Sequence, residues 1–130
     1  MNKLTKGLVI ALAAVMLGGC VVSVGGSGNS SGESGWKQVE RENREAIAQL
    51  RDGVHIEEVR RRMGTPYFIE GFSREGHTWE VLFYRTHRVA ADGMTTRDET
   101  TPLVFQEGLL VSRGESAWRD LTGRPLAARR

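Results

Sequence analysis

The residue with the most distinctive chemistry in this 130-residue chain is Cys20, its single cysteine. One thiol excludes an internal disulfide framework and leaves a sulfur that can carry a covalent group. Residues 8–17 are apolar and uncharged, and they follow Lys3 and Lys6. This length and charge order are typical of a secretory signal, because a helix that crosses a bilayer needs about 20 apolar residues. The sequence therefore predicts that residues 1–19 are a signal peptide.

The segment Leu17-Gly18-Gly19-Cys20 resembles the lipobox of bacterial lipoproteins. In those proteins signal peptidase II cleaves before a diacylated cysteine, so the resemblance implies lipid on the Cys20 sulfur and a third acyl chain on its amine. Two or three acyl chains hold a protein stably on a membrane, whereas one chain holds it only marginally. Val21 follows in place of an aspartate, which by the same resemblance implies sorting to the outer membrane of a Gram-negative bacterium. The alternatives are a buried thiol or an uncleaved signal anchor.

The charge and length restrict what the exported chain can do. Lys3 and Lys6 account for the formal charge of +2, so the chain from Cys20 onward has 16 basic and 16 acidic residues. This balance, together with export, argues against nucleic-acid binding. The length leaves room for one small domain and excludes a large enzyme with a separate cofactor domain. We expect a periplasm-facing protein whose lipid anchor is its contact with the membrane.

Composition divides the rest of the chain into three parts. Residues 20–35 join the lipidated cysteine to a Gly/Ser-rich linker with a typical reach of about 20 Å. Residues 36–114 form the folded domain. Residues 115–130 are interpreted as a basic tail with one helical turn at most, or as a basic segment that contacts an anionic surface or a partner. The tail contains Trp118, Leu121, Arg119, Arg124, Arg129 and Arg130.

Hydrophobic periodicity predicts two helices and then three or four strands. Apolar residues spaced for one helix face extend from Trp36 to Leu50, and a second helix covers roughly residues 56–63 before Gly64 and Pro66. The strands are rich in aromatic and β-branched residues. The predicted fold class is α+β, with two N-terminal helices packed on one face of a three- to four-stranded antiparallel meander. The predicted strands are 68–72, 78–87, 101–106 and 109–112.

Two family resemblances accompany this prediction. Gly53, Val59, Met63-Gly64 and Pro66 resemble the G-x(5)-V-x(4)-G-x-P signature of the SmpA/OmlA (BamE-like) family of small outer-membrane lipoproteins. The resemblance implies a two-helix, three-strand sandwich and a place in outer-membrane assembly or maintenance. That family has Thr or Ser where this chain has His55, which can still cap a helix, although less well.

The more extensive resemblance, over about residues 18–114, is to a proteobacterial lipoprotein family classified as a domain of unknown function. Many of its members have a second cysteine where this chain has Thr100, so a redox role is not expected there. That family implies no activity. The resemblance depends on Cys20-Val21-Val22-Ser23-Val24-Gly25-Gly26, Glu42-Asn43-Arg44, Met63-Gly64, Val81-Leu82-Phe83-Tyr84-Arg85-Thr86, Asp92-Gly93-Met94-Thr95-Thr96, Asp98-Glu99 and Thr101-Pro102-Leu103-Val104-Phe105.

No residue pattern indicates catalysis. The three histidines, His55, His77 and His87, fall at a helix start, a strand start and a strand end, without the spacing of a metal site. The carboxylates near residues 92–99 could bind a cation but lack the spacing of an EF-hand, and the serines cluster in the linker without a positioned base. We therefore expect no enzyme activity, no metal and no cofactor other than the lipid on Cys20.

Binding to another envelope protein is the function that the pattern favours. Strand alternation places Leu82 and Tyr84 on the sheet face opposite the predicted helices, where an uncovered apolar patch would be typical of an interface. Asp92, Thr101 and Pro102 adjoin this face and complete the predicted partner-binding residues. The alternative is binding to anionic lipid or the cell-wall surface through a basic patch. That patch consists of Arg60, Arg61 and Arg62.

Overall fold

The computed structural model describes residues 31–126, with the side chains of residues 31–34 left aside. The signal peptide, Cys20 and the linker up to residue 30 lie outside this range, as does the end of the tail, residues 127–130. Within it no helix has both the length and the apolar character needed to cross a membrane. The elements in chain order are α1 (Ser31–Gln49), α2 (Ile56–Met63), β1 (Phe68–Arg74), β2 (His77–Arg85), β3 (Thr100–Gln106), β4 (Leu109–Arg113) and α3 (Gly114–Thr122).

The four strands form one antiparallel meander in the order β1-β2-β3-β4. Each strand agrees with its sequence prediction to within two residues at either end. The register pairs Leu82 with Leu103 across β2 and β3, and Phe68 with Phe83 across β1 and β2. Because strand side chains alternate between faces, this register gives the sheet two apolar faces.

The first face of the sheet packs against α1 and α2. Ile47 of α1, Leu50 directly after this helix, and Ile56 and Val59 of α2 meet apolar residues of β2, β3 and β4. Helix α2 begins after His55, whose Nδ1 accepts a hydrogen bond of 3.3 Å from the backbone N–H of Glu57. The imidazole thus takes the capping position that Ser or Thr usually occupies. The sheet residues of this cluster are Leu82, Tyr84, Leu103, Phe105 and Leu110.

The second face of the sheet packs against α3. Trp118 is 3% exposed, and its ring lies edge-on to Phe83 with 5.3 Å between the ring centroids. Gly114 lets the chain pass directly from β4 into α3, because its φ of +92° is rarely adopted by residues with a side chain. Ala117, Val81 and Val104 complete the buried part of this cluster, and Leu121 and Leu126 pack at its border.

The prediction of two N-terminal helices packed on one face of a three- to four-stranded meander is therefore wrong. The described chain has three helices, and the third follows β4 and covers the second face. Its arginines suggested a basic tail, whereas Ala117, Trp118 and Leu121 form the apolar stripe of a short amphipathic helix. The linker also ends earlier than predicted, because α1 begins at Ser31 rather than at Trp36.

Replacing Trp118 by alanine tests how much the third helix stabilises the fold. We expect Trp118→Ala to lower the free energy of unfolding by about 3–5 kcal/mol, because it removes a buried aromatic side chain and leaves a cavity. Urea denaturation followed by circular dichroism measures the change. Arg119→Ala, on the exposed side of the same helix, is the control and should change stability by less than about 0.5 kcal/mol. Equal effects of the two substitutions would contradict the packing of Trp118 against the second face of the sheet.

Candidate functional site

Leu82 and Tyr84, expected on an uncovered sheet face, are buried under α1 and α2. Leu82 has no exposed surface and Tyr84 is 2% exposed. The Tyr84 hydroxyl donates a hydrogen bond of 2.9 Å to the carbonyl of Gly64. Burial raises the pKa of Tyr84 to about 12, against the opposing influence of the positive charge on Arg60. The expectation that these two side chains face solvent is wrong, since their alternation was right but the assignment of the faces was reversed.

The other predicted partner-binding residues differ in how deeply they are buried. Pro102 is buried within β3 and Thr101 is half-buried, with its hydroxyl 2.7 Å from that of Thr86. Asp92 is exposed, and its carboxylate accepts a hydrogen bond of 3.0 Å from the backbone N–H of Met94. Of these five predicted residues, Asp92 is the exposed one.

The three consecutive arginines of α2 do not share one environment. Arg60 is half-buried and forms ion pairs with Glu57 at 2.9 Å and Glu80 at 3.7 Å. Arg61 and Arg62 are exposed on the helix surface. The sequence-predicted basic patch is therefore reduced, because the first arginine joins α2 to β2 within the domain.

The histidines remain apart in the structure. His55 caps α2, His77 lies 3.6 Å from Glu107, and His87 contacts the hydroxyl of Thr86. Among residues 31–126, no group of three or more His, Cys, Asp or Glu side chains is arranged to hold a metal ion.

The long connection between β2 and β3 presents exposed side chains on a firmly held backbone. This connecting loop, residues 86–99, contains a single 3₁₀ turn at Arg97–Glu99. Val89 is 60% exposed and Met94 is 50% exposed. Asp92 lies between these two residues in the sequence. Long loops fixed by a rigid scaffold often contain binding residues.

Glu99 holds the connecting loop from within. It is 1% exposed, and one carboxylate oxygen accepts hydrogen bonds from the backbone N–H groups of Val89 (2.9 Å) and Ala90 (3.0 Å). The other oxygen accepts from the backbone N–H of Thr96 (3.2 Å) and from Arg85 (3.3 Å). Burial by itself would raise the pKa of Glu99, but these backbone donors and the Arg85 charge outweigh it and hold that pKa below its ordinary value.

Arg85 joins the loop to α1. Its guanidinium donates to Glu40 at 2.9 Å and to the Thr95 hydroxyl at 2.7 Å, in addition to Glu99. The same group lies 4.5 Å from the ring centroid of Trp36. We call Trp36, Glu40, Arg85, Thr95 and Glu99 the Arg85 cluster. Because Arg85 is 3% exposed and Glu40 7% exposed, their charges are withdrawn from water, and each must be compensated within the cluster.

The loop is also attached to the α3 side of the sheet. Arg97 forms an ion pair with Glu70 of β1, and its guanidinium lies 4.8 Å from the ring centroid of Phe83 and 5.9 Å from that of Trp118. Arg97 and Glu99 are two residues apart, yet they engage separate clusters. The loop backbone is therefore fixed at two points, while Val89 and Met94 remain open to solvent.

Sequence reasoning missed the Arg85 cluster almost entirely. One signal was available, because Glu40 lies on the helical stripe of Trp36, Asn43, Ile47 and Leu50 that faces the domain. A carboxylate on such a stripe indicates a buried ion pair, since an unpaired buried charge is costly. The identity of the partner was not available from spacing, because Arg85 lies 45 residues further along the chain.

Comparison with known proteins gives one family match. The family model described as Protein of unknown function (DUF3192) matches residues 18–120, which is most of the chain. The match confirms the resemblance to a family of unknown function, and its description names neither lipoproteins nor the SmpA/OmlA family. No curated protein matches the chain, and no solved structure does.

Replacing Glu99 by glutamine tests its role as the internal support of the loop. A carboxylate only accepts hydrogen bonds, whereas an amide must turn an NH₂ group toward at least one of the N–H donors. We expect Glu99→Gln to lower the free energy of unfolding at pH 7 by about 3 kcal/mol. Urea denaturation measures the change. Glu45→Gln, at an exposed i,i+4 pair with Arg41, is the matched control with an expected effect below about 0.5 kcal/mol.

The pH dependence of stability in the wild-type chain and in Glu99→Gln provides a second test. A pKa lowered by folding means that ionised Glu99 contributes stability above the pKa of the unfolded chain, whose ordinary value is 4.5, and that this contribution is lost as the pH falls through the lower folded value. The stability difference between the wild-type chain and Glu99→Gln should therefore shrink below pH 4.5. A difference that stayed constant down to pH 2 would contradict the assignment.

Proposed function

Since the chain belongs to the DUF3192 family of proteins of unknown function, we propose from its own residues that it is a non-catalytic, lipid-anchored envelope protein that binds another envelope protein. The binding surface is the exposed part of the connecting loop, defined by Val89, Asp92 and Met94. The observation on which this proposal depends is the exposure of two large apolar side chains on a loop whose backbone is fixed by the Arg85 cluster and by Arg97.

Fixing the backbone favours binding for an energetic reason. Ordering a mobile loop on association costs about 0.5–1.5 kcal/mol for each immobilised side chain, and further free energy for its backbone. In this loop the backbone N–H groups of Val89, Ala90 and Thr96 are already bonded to Glu99. The buried charges of the cluster are expensive to assemble, and we interpret that expense as the means of presenting Val89 and Met94 in one arrangement.

The anchor and the location form part of the proposal. The lipobox-like Leu17-Gly18-Gly19-Cys20 supports lipidation of Cys20, and Val21 supports sorting to the outer membrane, with the domain facing the periplasm. A distant relationship to the SmpA/OmlA lipoproteins is supported by the glycine and proline signature and by the capping role of His55. By that resemblance, we place the protein in outer-membrane assembly or maintenance.

Cys20→Ser tests the anchor. A serine cannot form the thioether, so we expect the variant to lose lipid and to appear in the soluble fraction or as the unprocessed precursor. Fractionation of cells, with mass spectrometry of the N-terminal peptide, measures both outcomes. Ser23→Ala is a control that leaves the cysteine and its preceding residues intact. A Cys20→Ser protein that remained membrane-bound and correctly processed would contradict lipid anchoring.

Charge substitutions in the loop test the binding surface. We expect Val89→Asp with Met94→Asp to reduce recovery of a cross-linked partner about ten-fold or more, since a carboxylate in an apolar contact remains desolvated and unpaired. Cross-linking in intact cells followed by mass spectrometry identifies the partner and measures its recovery. Val111→Asp, at a residue 43% exposed on β4, is the control.

Two outcomes would decide against this surface. Undiminished cross-linking by the loop variant would contradict it directly. Loss of attachment in Arg61→Glu with Arg62→Glu, together with salt-sensitive binding to anionic liposomes, would instead favour the lipid- or cell-wall-binding alternative, because charge-driven attachment weakens with ionic strength.

A further inference from the structure

The two edges of the sheet differ in how they are covered. The outer edge of β4 is closed by the segment between α1 and α2. Gly53 N–H donates to the carbonyl of Leu110 at 2.7 Å, Leu110 N–H donates to Val54 at 3.0 Å, and Ile56 N–H donates to Gly108 at 2.9 Å. At the opposite edge, β1 pairs with β2 alone within residues 31–126. An edge strand of this length is a template for pairing with another strand.

The surface beside β1 is apolar on the side that faces α2. Ile69 is 52% exposed and Tyr67, directly before the strand, is 42% exposed. Ile69 also borders a shallow cavity of about 240 Å³. Edge strands usually avoid exposed apolar side chains, because such edges promote association. The strand therefore has both an unpaired backbone edge and an apolar surface for the side chains of an added strand. The other residues that line the cavity are Arg60, Gly64, Thr65 and Pro66.

The start of α1 lies close to this edge. The ring of Trp36 is 6.2 Å from the ring of Tyr67, measured between centroids. Helix α1 begins five residues earlier, at Ser31, which is about 7.5 Å along the helix axis. The six residues 25–30 are Gly, Ser and Asn and span about 20 Å when extended. Residues 21–24 are therefore within reach of β1.

We propose that residues 21–24 of this chain bind along the free edge of β1 as an added strand. The segment reads Val-Val-Ser-Val, and β-branched residues favour extended pairing. Alternate valine side chains would pack against Ile69 and Tyr67, and backbone hydrogen bonds would close the edge. The short linker favours this occupant over a separate molecule, because a short flexible tether gives an effective concentration in the millimolar range.

Edge closure has a consequence at the membrane. If Cys20 is lipidated as proposed above, the added strand begins one residue from the anchor and holds the domain against the bilayer in one orientation. The strand addition itself does not require the lipid, so its failure and the failure of lipid anchoring are distinguishable.

Hydrogen exchange of β1 tests the added strand from the N-terminal side. The full chain, purified in detergent, is compared with Val22→Gly combined with Val24→Gly, and with Asn29→Gly as the linker control. We expect the valine variant to speed exchange of the β1 amides about ten-fold or more, while β4 amides stay unchanged. Unchanged β1 exchange would overturn the proposal. Protection that falls on dilution would also overturn it, in favour of a second copy of the chain.

Proteolysis tests the same contact from the domain side. Proteinase K cleavage between residues 20 and 30 is followed by mass spectrometry in Ile69→Asp and in Leu109→Asp, a 44% exposed residue of the closed edge strand β4. We expect Ile69→Asp to speed cleavage several-fold and Leu109→Asp to leave it unchanged. Equal cleavage rates in both variants and in the parent chain would overturn the proposal even if the glycine variant proved unstable.

Discussion

The buried guanidinium of Arg85 is the interaction on which the arrangement of the loop and α1 depends. It compensates two carboxylates from different parts of the chain, Glu40 of α1 and Glu99 at the end of the connecting loop. Each of these three groups is almost removed from water. Removing any one of them would therefore leave a buried charge without its compensating partner. The hydrogen bonds of Asn43 to the Arg85 carbonyl and of Arg44 to the Thr86 carbonyl add to the attachment. The cluster therefore converts a polar loop into part of the rigid domain.

A second constraint is the two-sided sheet. A domain of this size buries enough apolar surface only if both faces of the sheet are covered. Helices α1 and α2 cover one face, and α3 covers the other. The loop lies where these two layers meet, since Glu99 belongs to the Arg85 cluster and Arg97 contacts the rings of Phe83 and Trp118. Perturbing either layer is thus expected to alter the presentation of Val89 and Met94. In this way the packing of the whole domain is connected to the proposed binding surface.

The agreement and the errors of the sequence predictions have the same origin. Strand alternation placed Leu82 and Tyr84 together on one face, and this was right, because alternation is a local property of the backbone. Which face the first two helices cover was wrong, because period-2 alternation does not distinguish the two faces. The segment around Trp118 was interpreted as a tail, since a nine-residue helix surrounded by arginines has a weak periodic signal.

The sequence by itself determined the four strands, the first two helices and the caps and turns between them. These features depend on residues two to four positions apart, and His55 capping α2 is a representative case. Only the tertiary structure decided which side chains are buried and which charges meet. Arg85 and Glu40 are 45 residues apart, and no local pattern specifies such a pair, because its stability depends on desolvation by the whole assembled domain. The candidate site is therefore a product of long-range packing, whereas the chemistry expected at Cys20 is encoded in consecutive residues.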